Sequence, residues 1–321
     1  MEKQLQKYLH AFRKLRIDRA HGIAPQKPVL LISLLQTFQT GNNISDKVRI
    51  TPELVAFFNT NWTLLVNTNH HCRFTFPFYH MKTERFWTLV PKMGFEKIIR
   101  FSASMRSFTN LNQAVDHVVL DEDLFLLMKD PKSNILLQQF LLEEYFPGTS
   151  SNFIFSLENK KKLFDNIESK ILYESPEEYR TEIQNLILQQ NEEEIFIRGD
   201  LFKREIPKIY SHTCGISGMR IDATLDISMI DACHIKPFSQ SFDDTIKNGI
   251  ALCPNLHRAF DRGLISIDEN FCVLVSKCFE EQQSAYSIRD FEHKTINLPA
   301  KREHWPLQAN LQWHRENIFK P

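Results

Sequence analysis

One run of residues near the C-terminus constrains this chain more than any other feature. It covers residues 231–237, DACHIKP, and is followed by Asn248-Gly249 and, nine residues after Asn248, by His257. A β-prone segment precedes His234, a loop carries Asn248, and a helical pattern surrounds His257. Cleavage of a phosphodiester requires a base, a divalent cation and precise positioning of both. The order His, Asn, His in this setting therefore predicts a single-metal site of that kind.

The residue types suggest separate roles within this site. We predict that His234 is the general base, because a neutral imidazole can accept a proton near pH 7. The Asn248 amide can bond the backbone across its loop and so fix the orientation of the His234 ring. Asp261 follows His257 by one helical turn on the same face, so the pair could share a cation. Asp261 could instead pair with a neighbouring arginine.

The composition fits a globular protein large enough for two domains. The chain has 321 residues, of which 42% are hydrophobic and 24% are charged, and this balance excludes a disordered or fibrous class. Lys and Arg together number 39, as do Asp and Glu. The resulting net charge of zero neither supports nor excludes a nucleic-acid partner, since a basic groove can exist locally.

The sequence also predicts the compartment. No apolar run reaches the roughly eighteen residues that a membrane helix needs, and the first residues lack the apolar centre of a signal peptide. The six cysteines are scattered along the chain, which argues against a disulfide framework. We therefore expect a cytoplasmic protein with reduced thiols and no membrane partner.

The fold class follows from the order of the elements. An apolar run over residues 28–40 predicts a buried helix with Pro28 in its first turn, and Thr51 is placed to cap the next helix. Aromatic stretches over residues 73–79 and 85–90 predict paired strands. The predicted class is α+β. The predicted domains are an N-terminal mixed helix and sheet domain at 1–158, a helical linker at 159–200 and a C-terminal domain at 201–321.

Residues 212–321 resemble the HNH nuclease family. The resemblance rests on the Ala-x-His-Ile-x-Pro run, on Asn-Gly-x-x-Leu, and on the segment from His257 to Gly263. It implies a ββα-metal fold in which His234 is the base, Asn248 its orienting partner and His257 a metal ligand. Its expected cofactor is Mg²⁺ or Mn²⁺.

Two positions depart from common patterns in that family. Many members place an acidic second ligand directly before the base, where this chain has Cys233, so Asp231 and Asp261 are the candidates for that ligand. Other members carry a structural zinc held by paired CxxC motifs. Cys214 and Cys253 each supply only half of such a pair, and we expect no structural zinc.

The N-terminal region resembles the sulfur-binding domains that precede HNH units in restriction enzymes acting on phosphorothioate-modified DNA. The resemblance rests on the Pro-x-Lys-Pro-x-Leu-Leu helix start at residues 25–31, on Phe76-Pro77-Phe78 and on Phe86-Trp87. In that family a His, a basic residue and a Tyr-Pro pair form the sulfur pocket, and Gln26-Lys27 and Phe76-Pro77 stand at those positions here. The residues predicted to contact DNA are Arg16, Arg19, Gln26, Lys27, Arg73, Phe76 and Pro77.

Together these features predict a type IV-like, modification-dependent restriction endonuclease that acts on double-stranded DNA. Because cutting both strands needs two active sites, a homodimer is compatible with that activity. Two alternatives stay open. One is an HNH endonuclease that reads a modified cytosine or unmodified sequence, and the other is a DNA-binding module that does not cut.

Overall fold

The computed structural model describes residues 2–18, 22–40, 45–155, 160–221, 228–282, 284 and 286–321, with the backbone alone at 102, 154–155 and 160–165. These residues form two compact units. The N-terminal unit comprises Met1–Asp165 and Glu192–Ile197, and the C-terminal unit comprises Asn166–Asn191 and Arg198–Pro321. No helix in the described ranges combines the length and the apolar character needed to cross a membrane.

Helices dominate both units, and the strands are short. The α-helices are α1 (Glu2–Arg13), α2 (Gln26–Gln39), α3 (Pro52–Leu65), α4 (Thr75–His80), α5 (Phe108–Ala114), α6 (Glu122–Lys129), α7 (Pro131–Tyr145), α8 (Ser150–Phe155), α9 (Lys160–Tyr173), α10 (Pro176–Leu188), α11 (Glu192–Ile209), α12 (Phe238–Ser241), α13 (Pro254–Asp261) and α14 (Gln308–Asn317). The strands are β1 (Lys47–Val48), β2 (Trp87–Pro91), β3 (Val115–Leu120), β4 (Asp231–His234), β5 (Gly249–Leu252), β6 (Ile265–Ile267) and β7 (Val273–Val275). The predicted α+β class is confirmed.

Helix α2 forms the centre of the N-terminal unit. Its residues from Lys27 to Phe38 are all buried, and it packs against α3 and α7. The Asn61 amide of α3 donates to Ser33 Oγ at 2.9 Å and to Gln36 Oε1 at 2.7 Å, which satisfies polar groups inside this core. The start of α3 is capped as predicted, since Thr51 Oγ1 accepts a hydrogen bond from Leu54 N at 3.3 Å.

The strand predicted over residues 73–79 is wrong, because this segment forms helix α4. Phe74 and Phe78 are separated by one helical turn and stack with their ring centres 5.3 Å apart. Pro77 also lacks the N–H group that a strand pairing requires. The partner of β2 is β3 instead, in an antiparallel sheet with the order β1-β3-β2.

In the C-terminal unit, two antiparallel strands and a helix follow one another. Strand β4 pairs with β5 so that Asp231 lies opposite Leu252 and His234 opposite Gly249, and α13 begins two residues after β5 ends. Gly263 follows α13 with a φ of +71°, and a Cβ there would lie 2.0 Å from the Ile318 carbonyl oxygen. Only glycine fits this close approach, so the end of α13 depends on it.

Candidate active site

His234 lies at the end of β4 and is held on two sides. Its ring stacks on Phe202 with centres 3.9 Å apart, and its Nε2 donates to Asp244 Oδ1 at 2.8 Å. The side chain of Asp244 is almost completely buried, whereas that of His234 is 24% exposed. Because an ionised carboxylate only accepts hydrogen bonds, this contact places the proton on Nε2 and leaves Nδ1 as the basic nitrogen.

Asn248 is buried and joins the loop that follows His234 to the loop before β5. Its Oδ1 accepts from Lys236 N at 2.9 Å, and its Nδ2 donates to the carbonyl oxygens of Lys236 and Asp243, both at 2.9 Å. The predicted bonds from the Asn248 amide to the backbone are therefore present. They connect the loop that follows His234 to the segment that carries Asp244, so one side chain bonds the backbone close to both partners of the His234–Asp244 contact.

His257 lies on α13 between two carboxylates. Its Nδ1 is 3.1 Å from Asp231 Oδ2, and its Nε2 is 3.4 Å from Asp261 Oδ2. The helical spacing that was predicted to bring His257 and Asp261 together does so. Asp231 lies at the opposite ring nitrogen, so the two predicted acidic ligands approach different atoms of His257.

Cys233 extends this cluster into the interior. Its Sγ is 3.9 Å from Asp261 Oδ1, and the ligand atoms of Cys233, His257 and Asp261 all lie within 4.8 Å of one another. The thiol is buried, and burial together with the nearby carboxylate of Asp261 raises its pKa well above the usual value. Thiol, imidazole and carboxylate groups at this separation fit a divalent cation, which would offset the charge that they concentrate.

The two predicted histidines line the same cavity, which has a volume of about 320 Å³. Asp261, Pro237 and Phe238 line it as well. The proposed base and two members of the candidate metal cluster, His257 and Asp261, therefore face one space, as hydrolysis of a phosphodiester requires.

A further histidine in this cavity has a structural environment. His314 stacks on Phe260 with ring centres 3.6 Å apart, its Nε2 donates to the Phe260 carbonyl oxygen at 3.1 Å, and its Nδ1 accepts from Ser266 Oγ at 2.9 Å. Burial lowers the pKa of His314 to about 4, so this imidazole is neutral and both of its nitrogens are engaged near pH 7.

Asp244 is the residue that sequence reasoning missed. It lies ten residues after His234, between two segments whose roles were predicted, and no local spacing rule joins it to the histidine. The signal that could have indicated it is the pair Asp243-Asp244, which ends four positions before Asn248. Adjacent carboxylates need hydrogen-bond partners when they are buried.

A second cavity, of about 400 Å³, lies in the N-terminal unit and contains most of the predicted DNA contacts. Arg73 lies beside this set, with its guanidinium carbon 5.8 Å from the centre of the Phe76 ring. Arg19 lies outside the described residues. The predicted residues that line the cavity are Arg16, Gln26, Lys27, Phe76 and Pro77.

Lys27 differs from the other members of this set. Its side chain is 7% exposed, and its Nζ contacts Glu84 Oε1 at 2.5 Å and Thr83 Oγ1 at 2.9 Å. Burial lowers the pKa of Lys27, while the Glu84 carboxylate acts in the opposite direction. The amine is thus engaged within the wall of the cavity, whereas Arg16 is exposed at its edge.

Comparison with known proteins bears on the segment that contains the C-terminal cavity. Residues 214–268 match the model of a family described as HNH endonuclease, and this segment includes His234, Asn248, His257 and Asp261. The C-terminal unit therefore contains an HNH endonuclease domain. The match covers a minority of the chain and does not include the N-terminal cavity.

The chain is also similar to a solved structure titled "Modification dependent TagI restriction endonuclease". The identity is 19%, the similarity covers 36% of this chain and 36% of that chain, and the TM-score is 0.28. At that TM-score the likeness adds nothing about the fold or activity of this protein. No curated protein matches the chain.

Proposed function

We propose that this protein is a modification-dependent restriction endonuclease. The HNH domain hydrolyses DNA with a single divalent cation, and the N-terminal unit selects modified DNA. One observation carries the nuclease assignment. His234 and His257, which both belong to the segment matched by the HNH family, line the same cavity. Two copies of the chain would act together where both strands of a duplex are cut.

The chemistry assigns each side chain a task. His234 removes a proton from the attacking water through Nδ1, because Asp244 holds Nε2 as a donor. Asn248 keeps the two loops in register around this pair. His257 and Asp261 would hold the cation, and Asp231 orients the His257 ring from Nδ1. When bound, a divalent cation neutralises charge on the phosphate and the leaving oxygen.

Replacing Asp244 with asparagine tests the positioning of the base. We expect the rate of cleavage at saturating DNA to fall by about 10- to 100-fold, because the amide no longer favours the tautomer with the proton on Nε2. Single-turnover cleavage measures this, and the KM for DNA and the affinity for Mn²⁺ should change little. The ¹⁵N shifts of the His234 ring should report altered tautomer populations. The exposed Asp290→Asn provides the matched control. An unchanged tautomer in Asp244→Asn would contradict this role.

The N-terminal cavity suits an apolar mark on the DNA backbone. Phe76 and Pro77 provide an apolar wall, and Arg16 and Arg73 are exposed nearby to contact phosphates. A sulfur atom is larger and less strongly hydrated than the oxygen that it replaces, so the apolar wall favours it through the lower cost of desolvation. We assign phosphorothioate DNA as the substrate on this basis. The Gln26 amide is available as a hydrogen-bond partner beside the wall.

Binding and cleavage of matched duplexes test this assignment. Duplexes that are phosphorothioated, cytosine-methylated or unmodified are compared in the presence of Mn²⁺. We expect preferential binding and cutting of the phosphorothioated duplex. Phe76→Ala should weaken that binding at least about 10-fold, since it removes the aromatic wall. Phe101→Ala, at a residue that is 65% exposed and does not line the cavity, should not.

Each other outcome has a distinct meaning. Equal cutting of all three duplexes would remove the sulfur assignment and leave the nuclease assignment intact. Preference for the methylated duplex would favour a reader of modified cytosine. Binding without cleavage under any divalent cation would leave a DNA-binding module.

A further inference from the structure

The proposed mechanism gives the Cys233 thiol no role. Cys233 directly precedes the proposed base, and its Sγ approaches the carboxylate of Asp261 from the buried side. His257 approaches the same carboxylate through Nε2 from the cavity side. Asp261 is therefore contacted by a sulfur atom and a ring nitrogen, one at each carboxylate oxygen.

The separations are close to those of ligands around one small ion. In a tetrahedral site with a metal–sulfur bond of about 2.3 Å and metal–nitrogen and metal–oxygen bonds of about 2.0–2.2 Å, neighbouring ligand atoms stand roughly 3.4–3.6 Å apart. His257 Nε2 is 3.4 Å from Asp261 Oδ2, and Cys233 Sγ is 3.9 Å from Asp261 Oδ1. The two contacts use different oxygens of the Asp261 carboxylate, and the ligand atoms of the three residues lie within 4.8 Å of one another, so the side chains would draw closer together around a bound ion.

The donor set distinguishes between cations. Mg²⁺ prefers oxygen ligands and an octahedral arrangement, whereas a thiolate and an imidazole favour ions such as Zn²⁺ and Co²⁺. Three protein ligands with an open fourth position are the usual arrangement of catalytic, rather than structural, zinc sites. The contact of Asp231 with His257 Nδ1 supplies the outer carboxylate that often orients a metal-binding histidine.

We propose that Cys233 is a direct ligand of the catalytic cation, together with His257 and Asp261, and that the site therefore prefers Zn²⁺ or Co²⁺ to Mg²⁺. This inference rests on the proposed function for the placement of a cation at His257. It replaces the acidic ligand expected before the base with a thiolate. The Mg²⁺ or Mn²⁺ predicted from the sequence would then be a weaker occupant.

Titration of the full chain with Co²⁺ tests the thiolate bond without measuring activity. The wild-type protein should develop a thiolate-to-cobalt charge-transfer absorption in the near ultraviolet. Cys233→Ser should lose that absorption and bind Zn²⁺ at least about 10-fold more weakly. Its affinity for Mn²⁺ should change less, because Mn²⁺ depends less on sulfur.

Two further variants identify the thiol. His257→Ala, at a partly exposed residue, should also abolish the absorption, because the ion then loses its ring ligand. Cys253→Ser should retain it. Cys253 is the matched control because it lies close to a second cysteine, Cys214, whose Sγ accepts a hydrogen bond from Cys253 N at 3.3 Å. These two cysteines are the thiols that could compete with Cys233 for the added Co²⁺.

The results separate this inference from the proposed function. Absence of the absorption in the wild-type protein, its persistence in Cys233→Ser, or its loss in Cys253→Ser would overturn ligation by Cys233. If the absorption behaves as expected but no divalent cation supports cleavage of any duplex, the nuclease assignment fails and the thiolate ligand stands. If Cys233→Ser does not fold, the other three proteins test ligation by Cys233. The absorption should then be present in the wild-type and Cys253→Ser proteins and absent from His257→Ala.

Discussion

Replacing His234 with alanine should reduce the rate of DNA cleavage by about 10²- to 10⁴-fold, the range typical of losing a general base. The side chain lines the cavity shared with His257, and its Nε2 is bound to the buried Asp244. Among the described residues that line this cavity, no other imidazole can replace it: His314 is neutral and has both nitrogens engaged, and His257 lies between Asp231 and Asp261. Single-turnover cleavage with saturating cation measures this loss.

The same variant should keep the other properties of the protein. DNA binding without a cation and the affinity for the cation should stay within a few-fold of the wild type, because His234 contributes to neither in the proposed arrangement. His10→Ala, at an exposed histidine of α1, controls for the loss of an imidazole elsewhere. Unchanged cleavage by His234→Ala would refute the assignment of the base.

Replacing His257 with alanine should abolish cleavage by a different route. Loss of the ring removes one protein ligand and also frees Asp231 and Asp261 from their common partner. We expect the affinity for the divalent cation to fall by more than about 100-fold, since even loss of an outer partner of such a ligand typically costs 10- to 100-fold. Calorimetric titration with the cation measures this directly, and cation-free DNA binding should be retained.

The dependence on cation concentration distinguishes the two histidines. Raising the cation concentration should partly restore cleavage in His257→Ala, because the remaining ligands still bind weakly, whereas it should not restore His234→Ala. Asn255→Ala, at an exposed residue of the same helix, is the control for the effect of substitution in α13. Wild-type cation affinity in His257→Ala would show that the ion is held elsewhere.

The correct predictions for the N-terminal unit concern local features. The apolar run that became α2 and the Thr51 cap of α3 each depend on neighbouring residues, so their spacing was sufficient. The same local reasoning predicted the wrong element, a strand, for the segment around Phe76, which forms a helix. Its alternating aromatics resemble a strand, but the available partner strand is β3, which pairs with β2, and Phe74 and Phe78 meet across one helical turn. Pairing across distant segments cannot be deduced from alternation within one of them.

In the N-terminal cavity, the sequence predicted which residues lie together but not which of them are engaged by other side chains. Arg16, Gln26 and Phe76 do line one space. Lys27 was predicted to contact DNA like the others, yet its amine is paired with Glu84, which lies 57 positions away in the chain. Composition and local pattern do not indicate which basic side chain forms an ion pair with a carboxylate that is distant in the chain.

The sequence by itself determined which residues form the candidate site, because the spacing of His234, Asn248 and His257 and the helical offset of Asp261 are local properties of the chain. Only the tertiary structure decided how these groups are supported. It placed Asp244 against His234, separated Asp231 from Asp261 across the His257 ring, and brought Cys233 to within 3.9 Å of Asp261 although 28 positions separate them. The physical reason is that hydrogen bonds and metal ligation depend on distances of a few ångströms between side chains, and such distances are set by strand pairing and packing rather than by order along the chain.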